Sequence, residues 1–87
     1  MKVFLAVRKH KHGEDLSLHK APENARAQLA EWARAALWDW LWHGNDEDAE
    51  RLKRHYEGLG DKTLVARWSN ITGDNEFMSV EELDLRD

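Results

Sequence analysis

The chain has 87 residues, enough for one small domain that buries roughly 60–70% of its unfolded surface. Hydrophobic residues make up 41% and charged residues 34%, a balance typical of a globular protein rather than a disordered one. No apolar run approaches the roughly 18 residues of a membrane span, and the lack of cysteine excludes disulfides and thiolate chemistry.

The first residues, MKVFLAVRKHK, place an apolar stretch before a basic one. A secretory signal peptide has the opposite order and a longer apolar region. We therefore expect a single α+β domain over residues 1–87, located in the cytoplasm.

The net charge of −4 is unevenly distributed along the chain. Residues 1–20 carry five lysines and arginines against two acids, whereas residues 74–87 carry six acids against one arginine. Such an asymmetric charge distribution can attract an oppositely charged partner and guide its approach. The alternative is that the two ends lie side by side in a sheet and neutralise each other.

The N-terminal segment predicts a β-hairpin. Residues 3–7, VFLAV, form a short apolar run that is typical of a buried strand. Residues 8–15, RKHKHGED, are polar, and Gly13 can adopt the backbone angles of a tight turn. Alternation of apolar and polar side chains then predicts a second strand over residues 16–19.

A long helix is predicted from Pro22 to His43. Proline is favoured in a first helical turn, Glu23 suits the positive end of the helix dipole, and Gly44 is a typical stop. At 100° per residue one broad stripe faces a core. Its members are Ala25, Leu29, Trp32, Ala33, Ala36, Leu37, Trp40 and Leu41.

One or two short helices should follow. Asn45 can cap a helix whose apolar face includes Ala49, Leu52 and Tyr56 and which ends at one of the next glycines. Leu64, Trp68 and Ile71 keep helical spacing, so residues 61–72 predict a third helix, although alternation leaves a strand open. Residues 73–75, GDN, are typical of a turn.

The C-terminal stretch FMSVEELDL supports two interpretations. Ser79 and Glu82 fit a helix capping box, yet few residues follow to complete a helix. We favour a strand that joins the hairpin, with Val80, Leu83 and Leu85 as its apolar positions and a bulge between them. The predicted fold is thus a small antiparallel sheet of the hairpin and this strand, packed on the long Trp-rich helix.

Three tryptophans within LWDWLWHG cannot share one face of a helix. Trp40 belongs to the core stripe, whereas Trp38 and Trp42 lie on the opposite side, near Glu31 and Arg34. Later helices could bury this pair. Alternatively, the pair forms a binding surface for a partner protein or for a second copy of the chain, because tryptophan and arginine are enriched at the energetic centres of interfaces.

Two acidic clusters are further candidates for partner contacts. Asp46, Glu47 and Asp48 would lie in the first turn of the second helix, and Glu81, Glu82 and Asp84 would lie on the last strand. Either cluster could contact a basic protein surface. The alternatives are a favourable helix start and a solvated edge strand.

The basic hairpin Arg8–His12 predicts an alternative function, a regulator that binds nucleic acid, because basic charge dominates such affinity. The acidic net charge and the lack of a nucleic-acid-binding motif argue against it. His10 and His12 share one strand face as metal ligands can, but no further ligand has the required spacing and the adjacent lysines repel a cation.

Catalytic motifs are missing from the sequence: it has no glycine-rich phosphate loop, no G-x-S-x-G, no H-E-x-x-H and no cysteine nucleophile. The carboxylates do not lie in apolar runs that would raise their pKa. We therefore predict a protein that is not an enzyme, with no catalytic residue, no cofactor and no resident metal.

The order of features resembles small proteins encoded by phages, prophages and plasmids. The resemblance rests on the KVFLAV strand, the KHGED turn with His12, Gly13 and Asp15, the Trp-rich helix and the acidic VEELDL ending. Among such proteins are anti-CRISPR inhibitors, which bind a CRISPR surveillance or effector protein. The resemblance thus implies stoichiometric protein binding and inhibition, and it implies no catalytic or ligand-binding residue.

Overall fold

The computed structural model describes residues 1–41 and 46–86, without the side chains at positions 38 and 46. Within these ranges the elements are β1 (Lys2–His10), β2 (Gly13–His19), α1 (Pro22–Leu41), α2 (Asp46–Glu57), α3 (Asp61–Ile71) and β3 (Phe77–Asp84). This order confirms the predicted α+β class, including a C-terminal strand and a helix after residue 60. The predicted helix stop at Gly44 and cap at Asn45 lie outside the described residues.

The sheet has the order β2-β1-β3, and both strand pairs are antiparallel. A two-residue turn joins β1 to β2, and Gly13 follows it with a φ of 130°. This angle lies in the region that favours glycine because side chains with a Cβ are strained there. The position of the hairpin turn therefore agrees with the one predicted from Gly13.

Helix α1 packs against the sheet on one side and against α3 on another, and α3 also contacts the sheet. Ala25 and Leu29 pack on Ala6 of β1 and are fully buried. Another part of the helix surface packs on Leu64 and Trp68 of α3. Six of the eight residues of the predicted stripe are buried, and Trp32 and Trp40 are partly buried. Helix α3 also covers Ala30, which the stripe did not include.

Helix α2 packs on α1 beyond the edge of the sheet. Ala49 is buried and Tyr56 packs against the cluster that joins α1 to α3. The connection to α3 is tied to α1 by Arg34, which donates a hydrogen bond of 3.0 Å to the Leu59 carbonyl and lies 2.9 Å from the Asp61 carboxylate. The three helices thus form one layer against one face of the sheet.

Two details of the predicted packing are wrong. No bulge interrupts β3, since its pairing with β1 is continuous from Lys9–Phe77 to Lys2–Asp84. Val80 and Leu83 consequently point to opposite faces of the sheet. Leu5, predicted as part of a buried strand, is only partly buried. It points away from the helices, as do Val3 and Val7, which are 7% and 3% exposed.

The two oppositely charged ends of the chain pair as neighbouring strands. Lys2 Nζ lies 3.5 Å from a Glu82 carboxylate oxygen, and the N-terminal amine of Met1 lies 3.5 Å from an Asp84 oxygen. Both pairs are exposed to solvent, so each contributes less than about 1 kcal/mol to stability. Part of the charge asymmetry is therefore neutralised within the domain.

Candidate functional site

Strand β1 is apolar on both of its faces. Ala6 packs against Leu29 of α1, which places the even-numbered residues of β1 on the inner, helix-covered face. Successive side chains of a strand point to opposite faces, so Val3, Leu5 and Val7 point outward. Antiparallel sheets that leave one face in water normally alternate apolar and polar residues, so apolar side chains on both faces of β1 are unusual.

The neighbouring strands extend this outward surface. The strand register places Leu16 beside Val7, Leu18 beside Leu5 and Leu83 beside Val3. The outward positions also include Lys9, Glu14, Ser79 and Glu81, and their apolar members form a surface that we call the outer apolar face. It consists of Val3, Leu5, Val7, Leu16, Leu18, Phe77 and Leu83.

The outer apolar face is open to solvent along β2 and β3, whereas Val3 and Val7 on the central strand are only 7% and 3% exposed. Exposed fractions are 55% for Leu16, 61% for Leu18, 52% for Phe77 and 36% for Leu83. No described helix therefore covers these side chains. Contiguous apolar patches on monomeric proteins are small, and larger ones mark binding surfaces. The outer apolar face is the candidate functional site.

The inner face contains a buried polar cluster that the sequence did not predict. Glu76, 5% exposed, lies just before β3 and accepts three side-chain hydrogen bonds. Arg8 Nε donates at 2.7 Å and Trp68 Nε1 at 3.2 Å to one carboxylate oxygen, while Trp40 Nε1 donates at 3.0 Å to the other. The cluster joins β1, α1 and α3 to the start of β3, which makes it a structural element.

Burial by itself would raise the pKa of Glu76. The hydrogen bonds from Arg8, Trp68 and Trp40 and the charge of Arg8 outweigh it, so the pKa is lowered. The hydrogen bond to Glu76 raises the pKa of Arg8, against desolvation and with help from Asp15. Both groups are therefore charged at neutral pH. Glu76 has no proton to exchange in that range, which argues against an acid–base role.

An open cleft of about 610 Å³ lies beside this cluster. Its lining consists of Arg8, His10, Lys11, His12, Asp39, Trp40, Asn75 and Glu76. The backbone N–H of His12 donates to His10 Nδ1, so a neutral His10 carries its proton on Nε2. Among the described residues no three histidine or carboxylate side chains are grouped as metal ligands.

The cations of the basic hairpin are largely paired with acids. Arg8 contacts Glu76 and Asp15, His10 Nε2 lies 3.4 Å from an Asp15 carboxylate oxygen, and Lys9 lies 3.9 Å from Glu14. The exposed basic side chains at the turn are those of Lys11 and His12. This pairing reduces the positive charge that the hairpin presents to phosphate groups.

The structure places the predicted tryptophan surface only in part. Arg34 is engaged with the α2–α3 connection, and Glu31 is exposed on α1. Trp38 lies in α1, but its side chain is outside the description, as is the whole of Trp42. Whether this pair binds a partner stays a prediction.

The two acidic clusters lie on different parts of the molecule. Asp46, Glu47 and Asp48 begin α2, where the latter two are exposed. Glu81 lies beside Leu5 on the outer apolar face, whereas Glu82 and Asp84 point to the other side of β3. Strand geometry thus divides the C-terminal acids between the two faces of the sheet.

Sequence reasoning missed the outer apolar face, although a signal was present. Residues 3–7 are apolar at both odd and even positions, a pattern typical of a strand that is buried on both faces. The predicted helices cover one face only. Leu16 and Leu18 were identified as strand residues, and their direction followed only from the position of α1.

No protein-family model matches the chain, and no curated protein or solved structure matches it either. None of the described helices has the length and apolar character that crossing a membrane requires. Functional inference therefore depends on the surfaces of this chain.

Proposed function

We propose that the protein acts by stoichiometric binding to another protein molecule and that the outer apolar face is its binding surface. The observation that supports this proposal is the set of exposed leucine and phenylalanine side chains on a sheet face that no described helix covers. Burying such side chains contributes about 25 cal/mol for each Å² of apolar surface removed from water. That gain favours association over a monomer that leaves the face in water.

Inhibition of a CRISPR effector complex is the biological form of this proposal that the phage-type resemblance implies. It predicts that the partner is a protein subunit and that binding alone is sufficient for the effect. The exposed acids Glu47 and Asp48, and Glu31 on α1, are then candidates for secondary contacts with a basic partner surface.

Nucleic-acid binding through the basic hairpin is less favoured. Arg8 is held by Glu76 and Asp15, and the exposed Lys9 lies 3.9 Å from Glu14, so neighbouring acids offset part of the positive charge of the hairpin. Binding to DNA or RNA with a steep dependence on salt concentration would support this alternative instead.

A retention experiment tests the proposal. The tagged chain is immobilised and incubated with a lysate of its native host to which an untagged copy has been added, and retained proteins are identified by mass spectrometry. We expect one protein at a stoichiometric level. Leu16→Asp combined with Leu18→Asp should abolish its retention, because two charges would have to be buried in an apolar contact.

The matched control is Leu52→Asp, which places the same change on a helix away from the sheet at a side chain that is 38% exposed. It should retain the same protein as the unmodified chain. Equal retention by the double variant would contradict the outer apolar face as the binding surface, and retention of no protein would contradict the proposed function.

A further inference from the structure

We infer that the outer apolar face binds a second copy of this chain, related to the first by a two-fold axis that crosses the strands at the level of Ala6. This inference rests on the proposed function, since it names the partner of the same surface. Three observations carry it: the size of the face, the order of its side chains along the strands and the positions of its charges.

The size of the face fits a small symmetric interface. Three strands with about seven residues each measure roughly 25 by 15 Å, given a rise of about 3.4 Å per residue and a strand spacing of about 4.8 Å. Two such faces bury on the order of 1,000 Å² of accessible surface, near the lower limit for specific association. We therefore expect a dimer that dissociates at micromolar concentration.

The side chains are arranged so that apolar residues meet under this symmetry. Residues paired across the three strands form rows, and successive rows point to opposite faces of the sheet. The row of Ala6, Ser17 and Val80 points inward, so an axis at its level passes between two outward-pointing rows. One row contains Leu16, Val7 and Ser79, and the next contains Leu18, Leu5 and Glu81. The rotation places each row over the other.

Leu16 then meets Leu18 of the second copy, and Val7 meets Leu5. In the outermost rows, Phe77 lies at the level of Lys9 and Leu83 at the level of Val3. These levels are equally distant from Ala6, so Phe77 meets Leu83 of the second copy. The contacts made by β2 and by the middle of β1 are therefore apolar. At the end of the face the rotation places Lys9 over Val3 of the second copy, where the long lysine side chain can keep its ammonium group in solvent.

The charges also fit the same axis. Glu81 meets the Ser79 hydroxyl of the second copy, which can donate a hydrogen bond to its carboxylate. Glu14 lies at the level of Lys9, and Lys20 directly follows His19, the last paired residue of β2, which lies at the level of Phe4. Rotation about the axis brings Glu14 close to Lys20 of the second copy, twice in each dimer.

Other two-fold axes fit less well. An axis parallel to the strands places Lys9 over Lys9 of the second copy and Glu81 over Leu18. An axis that crosses the strands one residue further along, at Leu5, places Glu81 over Glu81. Like charges in contact and carboxylates buried against leucine both oppose association.

Sedimentation of the purified chain from about 1 to 300 µM tests the inference. We expect the mass to rise from 10.2 kDa to twice that value across this range. Leu16→Asp with Leu18→Asp should remain monomeric throughout, whereas Leu52→Asp should dimerise like the unmodified chain. Circular dichroism confirms that each variant is folded, and since both leucines are more than half exposed, the double variant should retain its fold.

Charge reversal tests the axis. Glu14→Lys or Lys20→Glu alone should weaken the dimer about fivefold, because each creates two like-charge contacts at the rim of the interface. Adding Lys20→Glu to Glu14→Lys should recover part of the lost affinity, since opposite charges again face each other across the axis, although Lys9 then lacks its carboxylate partner within the chain. Lack of any recovery would overturn this axis.

A chain that stays monomeric at 300 µM, or a dimer that the double aspartate variant does not disrupt, would overturn self-association. The protein-binding proposal is tested separately by the retention experiment. If the chain is monomeric but retains a host protein through Leu16 and Leu18, the protein-binding proposal holds and self-association is contradicted. If the chain is monomeric and retains nothing, both protein binding and self-association are contradicted.

Discussion

Glu76 shows how one residue joins distant parts of the chain. Its carboxylate accepts hydrogen bonds from residues 68, 36 and 8 positions away, namely Arg8, Trp40 and Trp68. The backbone N–H of Glu76 donates to the Thr72 hydroxyl at 3.2 Å, which fixes the approach to β3. Partners on β1, α1 and α3 therefore all depend on this side chain.

The lowered pKa of Glu76 predicts a loss of stability in acid. Its pKa in the folded state lies below the ordinary value of 4.5, so the unfolded chain binds more protons between the two values. The contribution is fully present well above pH 4.5 and is lost as pH falls through the folded-state pKa. Urea unfolding between pH 7 and pH 2.5 should show this decline.

Glu76→Gln should remove that part of the acid sensitivity. We expect it to cost about 3 kcal/mol of unfolding free energy at pH 7, since it breaks a buried ion pair, and less as pH falls. Glu50→Gln, at an exposed position of α2, is the control and should leave the pH dependence unchanged. A constant difference between Glu76→Gln and the unmodified chain across the pH range would contradict the coupling.

Trp40 combines a packing role with a polar one, because its ring packs against the α1–α3 cluster and its N–H donates to Glu76. Trp40→Ala should lower the unfolding free energy by about 3–5 kcal/mol, as for other large aromatic side chains in a core. Trp40→Phe keeps the apolar contacts and should cost only the hydrogen bond, about 1.5–3 kcal/mol. Chemical denaturation measures both, and a loss under about 1 kcal/mol for Trp40→Ala would contradict the packing role.

At the scale of elements, the β1–β2 hairpin ends in a polar turn that makes little contact with the core. Reversing the charge of Lys11, in the turn itself, to glutamate should therefore leave the melting temperature within about 3 °C of the original and leave protein binding intact. Lys9→Glu is a different test, because Lys9 lies beside Phe77 on the outer face. Fluorescence anisotropy with labelled DNA and RNA at two salt concentrations measures the alternative function. Loss of activity in parallel with loss of nucleic-acid affinity would favour nucleic-acid binding over protein binding as the function.

The sequence places Trp38 and Trp42 together on the side of the predicted long helix that lies opposite Leu29. If the pair lines a partner contact, Trp38→Ala with Trp42→Ala should weaken binding by about 2 kcal/mol or more for each anchor residue while thermal stability changes little. Isothermal titration and thermal melting separate the two effects. An unfolded double variant would instead assign the pair to a core beneath the later helices.

At the scale of the whole molecule, the domain is a two-layer structure whose second sheet face lacks a layer among the described residues. Its Cα extents are 54 × 26 × 16 Å, and the smallest of these leaves room for one sheet and one helical layer. Two such domains packed through their outer apolar faces would form a four-layer arrangement with both sheets inside. Dimerisation would then supply the second cover that the apolar β1 run requires.

Local patterns in the sequence were sufficient to predict the hairpin at Gly13, the long helix with its stripe around Leu29 and the third helix around Trp68. These features depend on residues a few positions apart, and backbone geometry alone determines which of them share a face. The tertiary structure alone decided that Glu76 is buried with Arg8, that β3 pairs without a bulge and that Leu16 and Leu18 point away from the helices. Each of these depends on contacts between residues far apart in the chain, and strand pairing and helix placement, rather than local periodicity, bring those residues together.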